Sequence, residues 1–199
     1  MGIRLRPKAE VLAMRRALKE TTMQIENRNL PLHDWAKKVA EVSASKGFVL
    51  ATWETLPMKL MLMVTEVQEA IDAAPGRRED FAMELADIAI RMLESLDSIW
   101  RGQWSAGRVT RRQRIDDTSG LVWRSPPETF APVLRMLVLA CEAWRKDNRP
   151  DAMNALEIAL VYVFRVADST NINLMEAIAE KTARNELRPH LHGKAKANA

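Results

Sequence analysis

Residues 57–97 read PMKLMLMVTEVQEAIDAAPGRREDFAMELADIAIRMLESLD, two apolar runs on either side of Pro75-Gly76. In the first run Leu60, Met61, Val64, Val67 and Ile71 recur at the spacing of one helix face. In the second, Phe81, Leu85, Ile88, Met92, Leu96 and Ile99 do the same. A Pro-Gly breaker between such runs predicts a helical hairpin, one helix opened by Pro57 and the other running from about Arg78 to Ile99.

The same period extends outward. Val11, Met14, Leu18 and Ile25 form a stripe over 8–26, and a further helix over 31–45 has Pro31 near its first turn and Gly47 just past its end. Beyond the hairpin, helices are predicted at about 128–146, 150–169 and 172–187, with breaks at Asn148-Pro150 and Ser169–Asn173. The expected class is all-α, a bundle of about seven helices. Residues 1–100 form a first half. An arginine-rich linker follows over 101–126, in which Leu121-Val122-Trp123 could form a short strand or docking segment. Residues 127–194 form a second half that packs with the first as one unit.

Composition agrees. The 199 residues are 47% hydrophobic and 28% charged, enough for one packed core. Seven glycines and nine prolines are too few for a sandwich with a turn every 8–12 residues. A single cysteine, Cys141, excludes an internal disulfide framework and a thiolate zinc site. No apolar run approaches the roughly 20 residues of a membrane span, and no h-region follows the basic N-terminus. A cytoplasmic protein without membrane contact is the expectation. The net charge of +4 is too small an excess to argue for nucleic acid, and no series of stacking aromatics is interleaved along Arg101–Arg124.

The acids are more informative. Glu66-x-x-Glu69 precedes the turn and Glu84-x-x-Asp87 follows it. Residues three apart share a helix face. In an antiparallel hairpin centred near Gly76 the two steps come level within roughly 2 Å, so four carboxylates can meet in one patch. Such a patch repels itself unless neutralised. Lys59 and Arg91 are nearby cations, neither expected inside the quartet. An all-oxygen set without His or Cys suits Mg²⁺, or Mn²⁺, better than zinc or copper. The plain alternative is a pair of solvated helix faces.

Leu62–Ala70 (LMVTEVQEA) and Glu84–Arg91 (ELADIAIR) resemble the ExxE…ExxD signature of the MazG-like, all-α nucleoside triphosphate pyrophosphohydrolases, relatives of dimeric dUTPases and dCTP pyrophosphatases. The end of the chain, Lys181-Thr-Ala-Arg-Asn185-Glu-Leu-Arg188-Pro189-His190-Leu191-His192-Gly193-Lys194, is similar to that group's K…N..RP..HGK tail, and Lys46-Gly47-Phe48 to the segment before its metal helices. The resemblance covers about 46–97 and 172–194. It departs in one respect: roughly 75 residues separate the ExxD helix from the tail. Within them, 136–142 and 157–161 echo 60–66 and 84–88, which suggests a degenerate second helix pair. There Glu142 and Glu157 would match Glu66 and Glu84, while Arg145 and Leu160 replace the other acids, so a second metal site is not expected.

The resemblance implies an enzyme that hydrolyses a (d)NTP between the α- and β-phosphates to a (d)NMP and pyrophosphate. Its metal ligands would be Glu66, Glu69, Glu84 and Asp87, with Glu66 or Glu69 acting on the attacking water. Lys181, Asn185 and Arg188 share a face of the tail helix and would contact the nucleotide. A basic helix end serving its dipole is the alternative. Arg91 is a phosphate candidate and Trp53 a base-stacking one, although a Trp there also suits the core. A homodimer is compatible with the Met-rich helices. The competing reading is a helical binding or assembly module that has lost turnover.

Overall fold

The computed structural model describes residues 32–109 and 125–190. The predicted helix at 8–26, Leu121–Trp123 and the His192–Lys194 end of the tail motif lie outside the described residues. Within them are α1 (Leu32–Ser45), α2 (Leu56–Ala73), α3 (Arg78–Trp100), α4 (Pro126–Arg145), α5 (Arg149–Ser169) and α6 (Leu174–Glu186), plus one helical turn at 106–109. No strand occurs among the described residues. The protein is all-α.

Local chemistry sets the helix ends. Pro57 stands in the first turn of α2, where its missing N–H costs no hydrogen bond. After α2, the Gly76 N–H closes a turn on the Ala73 carbonyl at 2.9 Å. Glu79 and Asp80 then occupy the first turn of α3, where the helix dipole favours acids. Asn148 caps α5 by accepting from the Asp151 N–H at 3.2 Å, and Asn173 caps α6 by accepting from the Glu176 N–H at 3.3 Å. The turns before these caps need left-handed backbone, supplied by Asp147 (φ 52) and Asn171 (φ 55).

Two helical hairpins, α2–α3 and α4–α5, make a four-helix square in which α2 packs on α4 and α3 on α5. The indole N–H of Trp144, at the end of α4, donates to the Trp53 carbonyl just before α2 at 2.8 Å, so α2 and α4 run antiparallel. α1 and α6 lie against α3 and touch each other, leaving α3 packed by four other helices. This explains why α3 is buried almost all round between Leu85 and Asp97. The two halves share one core. Phe81 of α3 meets Phe130 of α4 edge-on, with ring centroids 6.2 Å apart.

The start of the expected linker belongs to that core. Trp104 and Val109 are buried, and Arg101 bonds Asp97 at 3.0 Å. Apolar side chains interspersed among the arginines draw this stretch inward. Residues 110–124 lie outside the described residues, and α4 begins at Pro126 rather than near 128.

Truncating the ring that joins the halves, Phe130→Ala, should cost about 3–5 kcal/mol. Urea unfolding followed by helical circular dichroism and by tryptophan fluorescence should remain one coincident transition. Two separated transitions would mean that the halves fold independently.

Candidate metal centre

The hairpin brings Glu66 of α2 together with Glu84 and Asp87 of α3, with one carboxylate oxygen from each within 4.8 Å of the others. Glu66 is buried and the other two are half-buried. Glu69 does not join this set. Three residues along a helix turn the side chain by about 60° from the starting direction, and on α2 that rotation takes it to solvent. Its charge still acts on Glu84, so it stands at the rim. The quartet expected from spacing is a triad with a fourth carboxylate beside it.

Cations reach the triad from two sides. Arg91, one turn past Asp87, donates from Nε to Glu66 Oε1 at 2.6 Å, so it lies inside the cluster rather than near it. Lys181 of α6 pairs with Asp87 Oδ2, with most of its side chain buried. Asn185, one turn further along α6, has a buried Oδ1 with no hydrogen-bond partner. Arg188 is exposed past the end of α6. The residues of the K…N..RP segment therefore spread outward from the carboxylates, with Lys181 in direct contact.

Burial raises the pKa of Glu84, and the neighbouring charge of Asp87 raises it further, against the pull of Lys181. Burial also raises that of Asp87, with Lys181 opposing it. Two cations do not fully compensate three clustered acids. A hard divalent cation would complete the balance. The donor set is all oxygen, the carboxylates converge from two helices, and Asn185, whose buried Oδ1 has no partner, lies one turn from Lys181 on α6. These residues fit Mg²⁺ or Mn²⁺.

Trp53 is not brought to this group. Its ring packs edge-on to Trp100, centroids 6.1 Å apart, with Arg149 over it at 4.9 Å. Trp100 follows Asp87 by thirteen residues on α3, about 20 Å along the axis. Trp53 belongs to the contact between the connector and the second half.

The second half carries no counterpart of the triad among the described residues. Glu142 lies on the surface, where Arg145 and Lys146 hold its carboxyl down at about 2. Glu157 is fully buried, and its oxygens take the Ser105 N–H at 3.0 Å and Arg108 at 2.8 and 3.1 Å. The residues equated in sequence thus occupy dissimilar places: Glu66 is buried where Glu142 is on the surface, and Glu84 is half-buried where Glu157 is fully so. Sequence reading missed Glu157, Glu94 and Asp97 as buried acids. Their one signal was position on helices with too few polar neighbours to make a solvent face.

Neither the family models, nor the curated proteins, nor the solved structures give a match to this chain.

Between its ordinary pKa, 4.5 for Glu84 and 3.8 for Asp87, and its raised native one, each group binds more protons folded than unfolded. Stability therefore falls as pH rises through that window. The Tm of chelator-treated protein should rise as pH is lowered from neutral toward the ordinary carboxylate range. Mg²⁺, or the Glu84→Gln/Asp87→Asn double variant, should flatten that profile. An unchanged slope in the double variant would assign it to other groups.

Proposed function

We propose that this protein is a Mg²⁺-dependent nucleotide pyrophosphohydrolase that cleaves a (d)NTP between the α- and β-phosphates. The observation that carries the reading is the meeting of Glu66, Glu84 and Asp87 within 4.8 Å, with Lys181 and Arg91 against them. An all-oxygen triad flanked by two cations suits a metal-bound polyphosphate better than a protein partner.

Glu66, Glu84 and Asp87 would hold the cation, with Glu69 able to join from the rim. Bound there, Mg²⁺ or Mn²⁺ neutralises phosphate charge and polarises a phosphoryl oxygen. The chain does the remainder. Lys181, whose ammonium lies against Asp87, would offer it to a phosphate oxygen. Arg91 keeps the Glu66 carboxylate in place. The Asn185 Oδ1 accepts a hydrogen bond from a sugar hydroxyl or base N–H, and the exposed Arg188 offers a further cation to the nucleotide. The exposed Glu69 carboxylate takes a proton from the attacking water as its oxygen bonds to phosphorus and the α–β bridging P–O bond breaks. A cytoplasmic setting and a homodimer are compatible with this activity.

One observation favours the competing reading, a helical module without turnover: the Lys181–Asp87 and Arg91–Glu66 pairs already neutralise much of the cluster. Binding of nucleic acid has less support. Arg101 and Arg108 are engaged by Asp97 and Glu157.

A panel of dNTPs and NTPs, with and without Mg²⁺, separates the readings when pyrophosphate and orthophosphate release are followed apart. Metal-dependent pyrophosphate with a matching monophosphate is expected. Asp87→Asn should lower kcat at least about a hundredfold, near 2.7 kcal/mol of barrier, with circular dichroism unchanged. Glu69→Ala should do likewise. Silence across the panel from folded protein would favour the module.

A further inference from the structure

The polar seam between α2 and α3 continues past the carboxylates. Lys59 precedes Glu66 by seven residues and Glu94 follows Asp87 by seven, so both lie two helical turns on, about 10 Å from the triad. They pair there, Nζ to Oε2 at 3.4 Å, and Glu94 is only 5% exposed.

What this pair holds is backbone. Glu94 Oε1 accepts the Ala51 N–H at 2.7 Å, and Lys59 Nζ donates to the Val49 carbonyl at 2.6 Å. Among the described residues, Val49, Leu50 and Ala51 make no backbone–backbone hydrogen bond, so the backbone of this inner part of the α1–α2 connector is bonded by these two side chains, with Ala51 itself buried. Val49 itself is 70% exposed. A buried ion pair is weak evidence for stability, because apolar residues of similar volume usually serve a core as well or better. Its consequence here is the place of the connector.

The tail reaches the same connector. Lys181 touches Asp87, and nine residues later the His190 ring covers Gly47 so closely that a Cβ there would collide with it. Gly47 has φ +82, a conformation other residues rarely adopt. Asn185, with its unpartnered Oδ1, lies between these two contacts along the chain. The region from carboxylates to connector is thus framed by the α2–α3 seam on one side and by α6 and the tail on the other. The connector crosses its far end.

We infer that Lys59 and Glu94 are positioning residues that hold residues 48–52 as the end wall of the substrate site, two helical turns from the carboxylates, where the nucleoside of a bound nucleotide ends. This rests on the pyrophosphohydrolase reading. The pair touches no phosphate. It sets how well the nucleoside is held and leaves bond cleavage to the carboxylates.

The test compares wild type, Lys59→Met, Glu94→Gln and the Lys59→Met/Glu94→Leu double variant. In each variant KM for the preferred nucleotide should rise about tenfold with kcat within about threefold, the signature of lost binding shared by ground and transition states. Amide exchange at Ala51 should speed up, while the Tm gain from Mg²⁺ stays at its wild-type size. The double variant, freed of buried charge, should keep wild-type Tm and still show the raised KM, which separates placement from stability. Wild-type KM and Ala51 exchange in that variant would overturn the inference while turnover by the wild type upheld the activity. Calorimetric binding of a non-hydrolysable α,β-methylene dNTP with Mg²⁺ gives the same comparison without turnover. Tenfold weaker binding in the variants of a silent enzyme would support the pair and reject only the hydrolase. Absence of both turnover and binding in the wild type would overturn both.

Discussion

Three carboxylates whose oxygens lie within 4.8 Å of one another repel strongly when half-buried, and much of this molecule can be understood as an answer to that repulsion. Arg91 answers it from within α3, one turn along the face that carries Glu84 and Asp87. Lys181 answers it from α6, and in doing so ties the end of the chain to the middle of the hairpin. Compensation is incomplete, since burial still holds Glu84 and Asp87 above their ordinary pKa values. A site left short of positive charge by its own protein is one that a divalent cation can enter.

α3 is the element that makes this arrangement rigid. Four helices pack on it, so its charged side chains have fixed surroundings and each finds its partner in a different neighbour. Arg91 meets Glu66 of α2, Asp87 meets Lys181 of α6, and Glu94 meets the α1–α2 connector through Ala51. Asp97 meets Arg101, where the chain leaves the helix. The second hairpin supplies the other two sides of the square but closes its own acids: Glu157 with Arg108 and Ser105, Glu142 with Arg145 and Lys146. One half of the bundle keeps an open cluster and the other supports it.

The hairpin was legible because its signals are local. Apolar spacing, the Pro75-Gly76 breaker and the two acidic steps depend only on helix geometry, and such signals located all six described helices to within about two residues. Asn173 was legible as a cap for the same reason. The rim position of Glu69 was not legible because spacing by three gives a shared face but not which edge of that face turns inward. Spacing could not decide between the two places open to Trp53, because its neighbours, Trp100 and Arg149, are distant in sequence and are met only when the halves pack.

By itself, the sequence determined an all-α chain with a helical hairpin and acids on its inner face, since helix period and turn chemistry act over a few residues. Tertiary structure decided which carboxylates meet, that Arg91 and Lys181 would neutralise them, and that Lys59 and Glu94 would hold a connector rather than a surface. Those outcomes depend on burial and on partners brought from other helices. A charge between apolar residues reads the same in sequence whether it ends in water or in a core, and only packing distinguishes the two.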